Sequence, residues 1–497
     1  MFIGNQFEQP DVLILLTDQF NPYAMGCAGD PLIKTPNIDS LAAEGIRFEN
    51  TYTVSPVCMP ARCSMVSGLY PHNHGFWMNF TDVRFPSDKA CMFRDMQKAG
   101  YRTGHIGKSH WFNPDWGVHY RECADYFQSM GLDHCVEISE PHGVPFHPSV
   151  YTDHLREKGL LDAYLKSMAI DMEHGGYEPF KSAAPSEDYN DALVGTYAID
   201  FLEACPEDQP YCLHVGFPGP HNPMDAPGEY NTMYNPDAIE LPDNVPEGVK
   251  VYQRVHTRDE IKSIRANYYG KISIIDHWIG KIVEGLKRRG TWDRTIVVFT
   301  ADHGDYMGAH GRLGKCGFET ESAGIPLILR WPGKVPAGRT TSALASNLDV
   351  FPTVFDAVGV EMSPERFGTS LLPVARGETD SVQDAVFSEI GHGAHQSFMV
   401  RTADFKWFSK AGQEHLFDMR EDPLELNNLA DSSEHTNVIL EMRERLRHFL
   451  METQVNQSRN YRPLFDRAGL AVGGERVSDQ LYALTRKLNE IPDAEGR

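Results

Sequence analysis

Four short strand-like runs, each ending in charged or imidazole side chains, limit what this chain can fold into. Residues 12–16 read Val-Leu-Ile-Leu-Leu and end in Thr17-Asp18-Gln19. Residues 101–106 lead into Gly107-Lys108-Ser109-His110, and residues 211–217 into Pro218-Gly219-Pro220-His221. Residues 296–299 lead into Thr300-Ala301-Asp302-His303. Short apolar runs bounded by polar residues read as buried strands of a sheet covered on both faces. Between them lie helical patterns such as 261–289, where Ile264, Ile272, Ile275, Ile279, Ile282 and Leu286 recur near helical spacing. Strands alternating with helices predict an α/β fold. In such sheets ligands bind outside the carboxyl ends of the strands. Taken singly, Asp18, Lys108, His110, His221, Asp302 and His303 are solvated loop residues. Agreement across four distant segments points instead to one shared edge.

The chain has 497 residues, enough for two to four domains at roughly 100–200 residues each. The organisation expected is a catalytic α/β unit over 1–375, an α+β unit over 376–455 and a tail over 456–497. In the second unit, 398–401, 406–409 and 415–418 read as short antiparallel strands, followed by a helix at about 437–453. The stretch 141–185 is rich in His, Pro and Gly, has weak periodicity, and reads as an insertion over the sheet edge. The formal net charge is −23, which disfavours nucleic acid and anionic membranes as partners. No apolar run approaches the roughly 20 residues that span a bilayer. Nine cysteines at irregular spacing make a poor disulfide framework. The start, Met-Phe-Ile-Gly-Asn-Gln-Phe-Glu, shows no basic stretch and apolar core of a signal peptide. A cytoplasmic location is the expectation.

The most informative segment is Ser55-Pro56-Val57-Cys58-Met59-Pro60-Ala61-Arg62-Cys63, continuing to Gly68. Pro60 suits the first turn of a helix and Gly68 its end. Cys58 then sits at a helix start, where free N–H groups favour a nearby anion, with Arg62 one turn on along the same face. On those residues alone, a buried structural cysteine beside a surface arginine is an equal reading.

Cys-Met-Pro-Ala-Arg resembles the C-x-P-[S/A]-R signature of the type I, formylglycine-dependent sulfatases of the alkaline phosphatase superfamily. Ser67-Gly68-Leu69-Tyr70-Pro71-His72, Gly107-Lys108-Ser109-His110, Pro220-His221-Asn222-Pro223 and Asp302-His303-Gly304-Asp305 are similar to that family's further motifs. So are the Lys315 segment and the run from Leu416 to Leu429, so the resemblance extends over about residues 10–430. It implies an alkaline phosphatase-like large mixed sheet flanked by helices, a smaller C-terminal antiparallel sheet and an extended tail. It implies that Cys58 is converted to formylglycine by a formylglycine-generating or equivalent maturation enzyme. Sulfate monoesters would then be hydrolysed by a metal-activated formylglycine hydrate, through a covalent sulfo-enzyme intermediate. Asp18, Gln19, Asp302 and His303, with an oxygen of modified Cys58, would ligate one divalent cation. The oxygen donors suit Ca²⁺, and the imidazole tilts toward Mn²⁺. Arg62 would stabilise the formylglycine, and Lys108 and His110 would contact the nucleophile or the substrate. His221 and Lys315 would hold the transferred group and its leaving oxygen. Asn79 matches a substrate-contacting position. His74 is a candidate for lining the pocket, set against a structural hydrogen bond.

Two departures narrow the resemblance. Gln19 and His303 stand where many sulfatases carry an acid and an asparagine, as in the choline sulfatase and phosphonate monoester hydrolase branch. Lys108 and His110 follow the sulfatase pattern. Phosphonate monoester or phosphodiester hydrolysis, or both activities together, is therefore the alternative, and a non-catalytic binder of sulfated ligands is a third reading. A homodimer or homotetramer with the tail in the contact is also expected, because that branch packs C-terminal extensions across subunits.

Overall fold

The computed structural model describes residues 9–79, 83–89, 91–251, 254–391 and 395–454. The expected subunit contact of the tail, 456–497, lies outside the described residues. The main sheet has strands β1 (Asp11–Asp18), β2 (Ile46–Tyr52), β3 (Arg102–Gly107), β4 (His134–Glu137) and β5 (Tyr211–Pro220). A hairpin of β6 (Gly248–Val251) and β7 (Arg254–Thr257) intervenes, and β8 (Thr295–Ala301), β9 (Leu327–Arg330) and β10 (Arg339–Ser346) complete the main sheet. The order across it is β10-β2-β9-β8-β1-β5-β3-β4. Only β9 runs against its neighbours, pairing antiparallel with β2 and β8. All other pairings are parallel, so every strand but β9 ends at one edge. That edge receives the polar ends of all four runs.

The central strands are buried on both faces. Along β1, Leu13 and Leu15 join one core, with Val297 and Phe299 of β8. Val12 and Ile14 join the other, with Ile296 and Val298. This alternation is the two-residue period of a pleated strand, and burial of both sets explains why the sequence shows an unbroken apolar run. The long helix Arg258–Arg289 covers the first face, and the helix Cys58–Ser67 lies on the second. Among the described residues, no helix is long and apolar enough to cross a membrane.

The stretch 141–185 departs from its sequence reading. It holds two helices, Val150–Glu157 and Leu161–Glu173, the first too short for its period to stand out. Its leading segment reaches over the sheet edge, as the site below shows. Beyond the main sheet, β11 (Ala385–Ile390), β12 (Ser397–Thr402), β13 (Phe405–Lys410) and β14 (Gln413–Asp418) form an antiparallel sheet. The helix Thr436–Glu452 packs on one face of it through Ile439 and Met442.

The end of β3 shows how tightly the edge is built. Gly107 has φ 105°, a conformation that disfavours a side chain. A Cβ there would overlap the Gly216 carbonyl oxygen of β5, the same oxygen that accepts from Lys108 N at 2.8 Å. Gly107→Ala therefore destabilises the protein by about 2 kcal/mol or more. A denaturant midpoint equal to that of the unaltered protein would contradict this packing account.

Candidate active site

Cys58 is the first residue of the helix Cys58–Ser67, which Gly68 ends with φ 71°. Asn79 Oδ1 accepts from Met59 N at 3.0 Å, so an exposed asparagine satisfies one of the free N–H groups of that first turn. Cys58 Sγ lies 2.7 Å from Lys315 Nζ, 3.1 Å from His303 Nε2 and 3.7 Å from Asp18 Oδ1. Burial, with Asp18 adding to it, pushes the Cys58 thiol up to about 12. As cysteine it is a neutral thiol and a poor nucleophile.

Arg62, 1% exposed, donates from Nε to Asp302 Oδ2 at 2.6 Å and from a terminal nitrogen to Asp18 Oδ2 at 3.3 Å. Its remaining terminal nitrogen donates to the Lys108 carbonyl at 2.6 Å. Lys108 Nζ pairs with Asp18 and with Glu140. Burial alone would raise the Asp18 carboxyl. The cationic Lys108, Arg62 and Lys315 outweigh that and hold it well below the usual range. Burial would lower the Lys108 and Lys315 ammonium pKa values, but the surrounding anions raise both.

Asp18, Cys58, Asp302 and His303 bring ligand atoms within 4.8 Å of one another, all buried. Asp302 Oδ1 accepts from His303 N at 2.8 Å and from Gln19 N at 3.1 Å. His303 Nδ1 lies 3.0 Å from the Gly304 carbonyl, which places the proton on Nδ1 and turns the Nε2 lone pair toward the carboxylates. Burial lowers the His303 pKa to about 4. Gln19 Nε2 donates to Asp305 Oδ2 at 2.5 Å, while Gln19 Oε1 is buried without a hydrogen-bond partner among the described residues. Two carboxylates, a neutral imidazole and an orphaned amide oxygen make a donor set that fits one divalent cation.

His221 Nε2 accepts from Lys315 Nζ at 3.0 Å, and its Nδ1 faces the Asn222 carbonyl at 2.6 Å. Burial, then Lys315, lowers the His221 pKa well below its ordinary value. His110 has φ 53° and a buried Nδ1 with no partner among the described residues. Burial and Lys108 lower its pKa to about 3. With Lys108, Asn79 and Glu140 it lines a cleft of about 250 Å³. Trp116, 54% exposed, stands in the wall of this cleft with its ring 5.0 Å from that of Phe146.

Thus Asp18, Gln19, Cys58, Arg62, Lys108, His110, His221, Asp302, His303 and Lys315 come together, and Asn79 lines the adjoining cleft. His74 does not line it. It is fully buried, its Nε2 is 2.9 Å from Ser64 Oγ, and its Nδ1 accepts from Phe76 N at 3.1 Å. With both ring nitrogens engaged, it braces the Cys58 helix. Sequence reasoning missed Glu140 and Asp305. Glu140 follows β4, a strand whose sequence, His-Cys-Val-Glu, carries no apolar run. Asp305 stands one residue beyond the conspicuous Asp302-His303-Gly304.

The model of the family described as Sulfatase matches residues 10–360. A second model, described as N-sulphoglucosamine sulphohydrolase, C-terminal, matches residues 308–452. An arylsulfatase of Clostridium perfringens (strain 13 / Type A) is 27% identical over 456 residues, covering 86% of this chain and 91% of that protein. A choline-sulfatase of Rhizobium meliloti (strain 1021) is 29% identical over 456 residues, covering 85% of this chain and 83% of its own length. The crystal structure of a phosphonate monoester hydrolase of Agrobacterium radiobacter has a TM-score of 0.75 at 25% identity, covering 90% of this chain and 96% of that one.

The buried neutral histidines set the response to acid. Burial pushes His74 and His110 down to about 3 in the folded chain, against the ordinary ~6.5 when unfolded. Below about 6.5 the unfolded chain binds the extra protons, so their contribution is present above that pH and is lost as pH falls toward 3. The thermal midpoint should fall through this window. His74→Gln, which keeps a hydrogen-bonding side chain, should flatten the fall. An unchanged slope in that variant would refute the assignment.

Proposed function

The chain belongs to the sulfatase family, and from that premise we propose that it hydrolyses sulfate monoesters with a nucleophile made from Cys58. The observation that carries this reading is the convergence of Asp18, His303 and Lys315 on the Cys58 side chain at a helix start. A neutral buried thiol has no evident use among two carboxylates and three cations, whereas an oxygen nucleophile formed at the same position does. Formylglycine at 58 would supply an aldehyde hydrate, whose two hydroxyls offer an oxygen nucleophile toward sulfur, with release of the alcohol, and a route to release sulfate without attack by water on sulfur. A formylglycine-generating or equivalent enzyme would carry out the conversion. Asp18, Gln19, Asp302 and His303 would hold one divalent cation, Ca²⁺ or Mn²⁺ by donor chemistry, which supplies Lewis acidity beside position 58.

The chain's own side chains do the remaining work. Arg62 locks both carboxylates and stands one helical turn from the nucleophile. Lys108 and Lys315 offset the charge of the sulfate group, which Asp18 and Asp302 would otherwise repel. The Lys315–His221 pair holds a proton at the place where the leaving oxygen departs. His110 offers an unpartnered nitrogen beside Lys108. The cleft beyond them, with Trp116 and Asn79 in its walls, takes the alcohol half of the ester.

Phosphonate monoester or phosphodiester hydrolysis is the second reading. The observation favouring it is Gln19 and His303 in the metal set, together with the likeness to a phosphonate monoester hydrolase. One panel decides: sulfate, phosphate and phosphonate esters of a single leaving group, with kcat/KM measured on fully matured enzyme. The sulfate ester should be turned over best, and a preference for the phosphonate would transfer the assignment. The peptide containing Cys58 should be lighter by about 18 Da than the encoded one. Cys58→Ala should fold and lose at least ~10³-fold in kcat. Chelation and Asp302→Ala should remove bound metal and rate together, and full activity without metal would rule out the cation's role.

A further inference from the structure

The long helix Arg258–Arg289 places a lysine inside the core. Lys271 is 0% exposed, with Ile272 and Ile275 of the same helix in the surrounding apolar cluster. Its Nζ donates to the His221 carbonyl at 2.6 Å, to the Pro223 carbonyl at 2.7 Å and to Asp225 Oδ1 at 3.1 Å. These three bonds use all three ammonium donors. Asp225, equally buried, also accepts from Tyr189 OH at 2.7 Å.

A buried ion pair is a weak stabilising device, because apolar side chains of similar volume serve as well or better. What an apolar pair cannot do is draw two carbonyls, one on each side of Asn222, onto a single nitrogen. That backbone turn carries His221, whose Nε2 faces Lys315 and whose Nδ1 faces the Asn222 carbonyl. The same helical turn grips the segment twice more. Asn267 Oδ1 accepts from Ala226 N at 3.1 Å. Gly270 leaves room for the Tyr230 carbonyl, which a Cβ would overlap.

We propose that Lys271, with Asp225 as its counter-charge, is a positioning residue that sets His221 against Lys315 at the leaving-oxygen side of the site. The proposal rests on the role given to His221 above. Lys271 contacts neither Cys58 nor the cleft, so it acts through the backbone of the turn that bears the histidine. A displaced histidine delivers a proton poorly, and the loss is felt most where the leaving group needs that proton most.

The test is a series of aryl sulfates of decreasing leaving-group acidity, run on the matured full-length enzyme. Lys271→Met/Asp225→Asn removes both charges together, so neither is left buried alone. The variant should keep the far-UV spectrum and a single unfolding transition. It should lose about 10- to 100-fold in kcat on the poorest leaving groups and much less on the best, with KM little changed. On a His221→Ala background the same pair of substitutions should add almost nothing, because residues acting through one another are not additive. An equal loss across the series, or a full additional loss on the His221→Ala background, would overturn the proposal. If the double variant does not fold, Lys271→Arg replaces it. Arginine keeps the charge but does not gather both carbonyls on one nitrogen, so a smaller loss with the same leaving-group dependence is expected, and wild-type rates throughout would refute the idea. A flat series for His221→Ala itself would remove the proton role from His221, while the coupling still decides whether Lys271 acts through it.

Discussion

The structure turns on Arg62, a guanidinium buried between two carboxylates. A buried charge is tolerated only when it is paired and hydrogen-bonded. Arg62 meets that condition by bonding Asp302, Asp18 and the carbonyl of Lys108, residues brought by three different strands. The pairing therefore fixes the ends of β1, β3 and β8 relative to the Cys58 helix. Asp18, Asp302 and Glu140 oppose Arg62, Lys108 and Lys315, three of each sign, while burial keeps His110, His221 and His303 neutral. The cluster is thus near neutrality from the chain alone. Any divalent cation that Asp18, Gln19, Asp302 and His303 hold leaves the site net positive, as an anionic ester requires. A chain of net charge −23 thus gathers three cations at one buried edge by sorting charges within itself, whatever its total.

Much of this was legible in the sequence because the sheet is parallel. Parallel strands need burial on both faces, so β1, β5 and β8 announce themselves as apolar runs, while β3, with Arg102, Thr103 and His105, shows mainly through the Gly107-Lys108-Ser109-His110 segment at its end; these polar ends must then share an edge. The Cys58 helix was legible through Pro60 and Gly68. Less visible was whatever lacked a period. β4 is half exposed and has no apolar run, so Glu140, which follows it and reaches Lys108, carried no signal. His74 could not be assigned from sequence, because Ser64 and the Phe76 backbone complete its hydrogen bonds only once the chain has turned. Lys271 sits among buried isoleucines of its helix, and its partners lie about fifty residues away in the chain. Sequence periodicity records which face is inside; it does not record which carbonyl waits there.

The backbone at this edge is held under strain by the same bonds. Outside glycine, left-handed conformations are uncommon and cost energy. Here Gln19, His110, Met307, His310 and Cys316 adopt them, with φ values from 48° to 75°, and Gln19, His110 and Cys316 flank or belong to the candidate site. Gln19 shows how such a conformation is sustained. Its N–H is held by Asp302, its carbonyl accepts from Tyr268 OH at 2.6 Å, and its amide nitrogen is held by Asp305. With those three groups fixed, its side-chain oxygen is the one polar atom left without a partner, buried in the loop that also carries Asp18. Tyr268 and Lys271 lie three residues apart on the long helix, one holding the Gln19 loop and the other the His221 turn. That helix thus serves as a rigid bar behind the site, holding the left-handed Gln19 on one side and the His221 turn on the other.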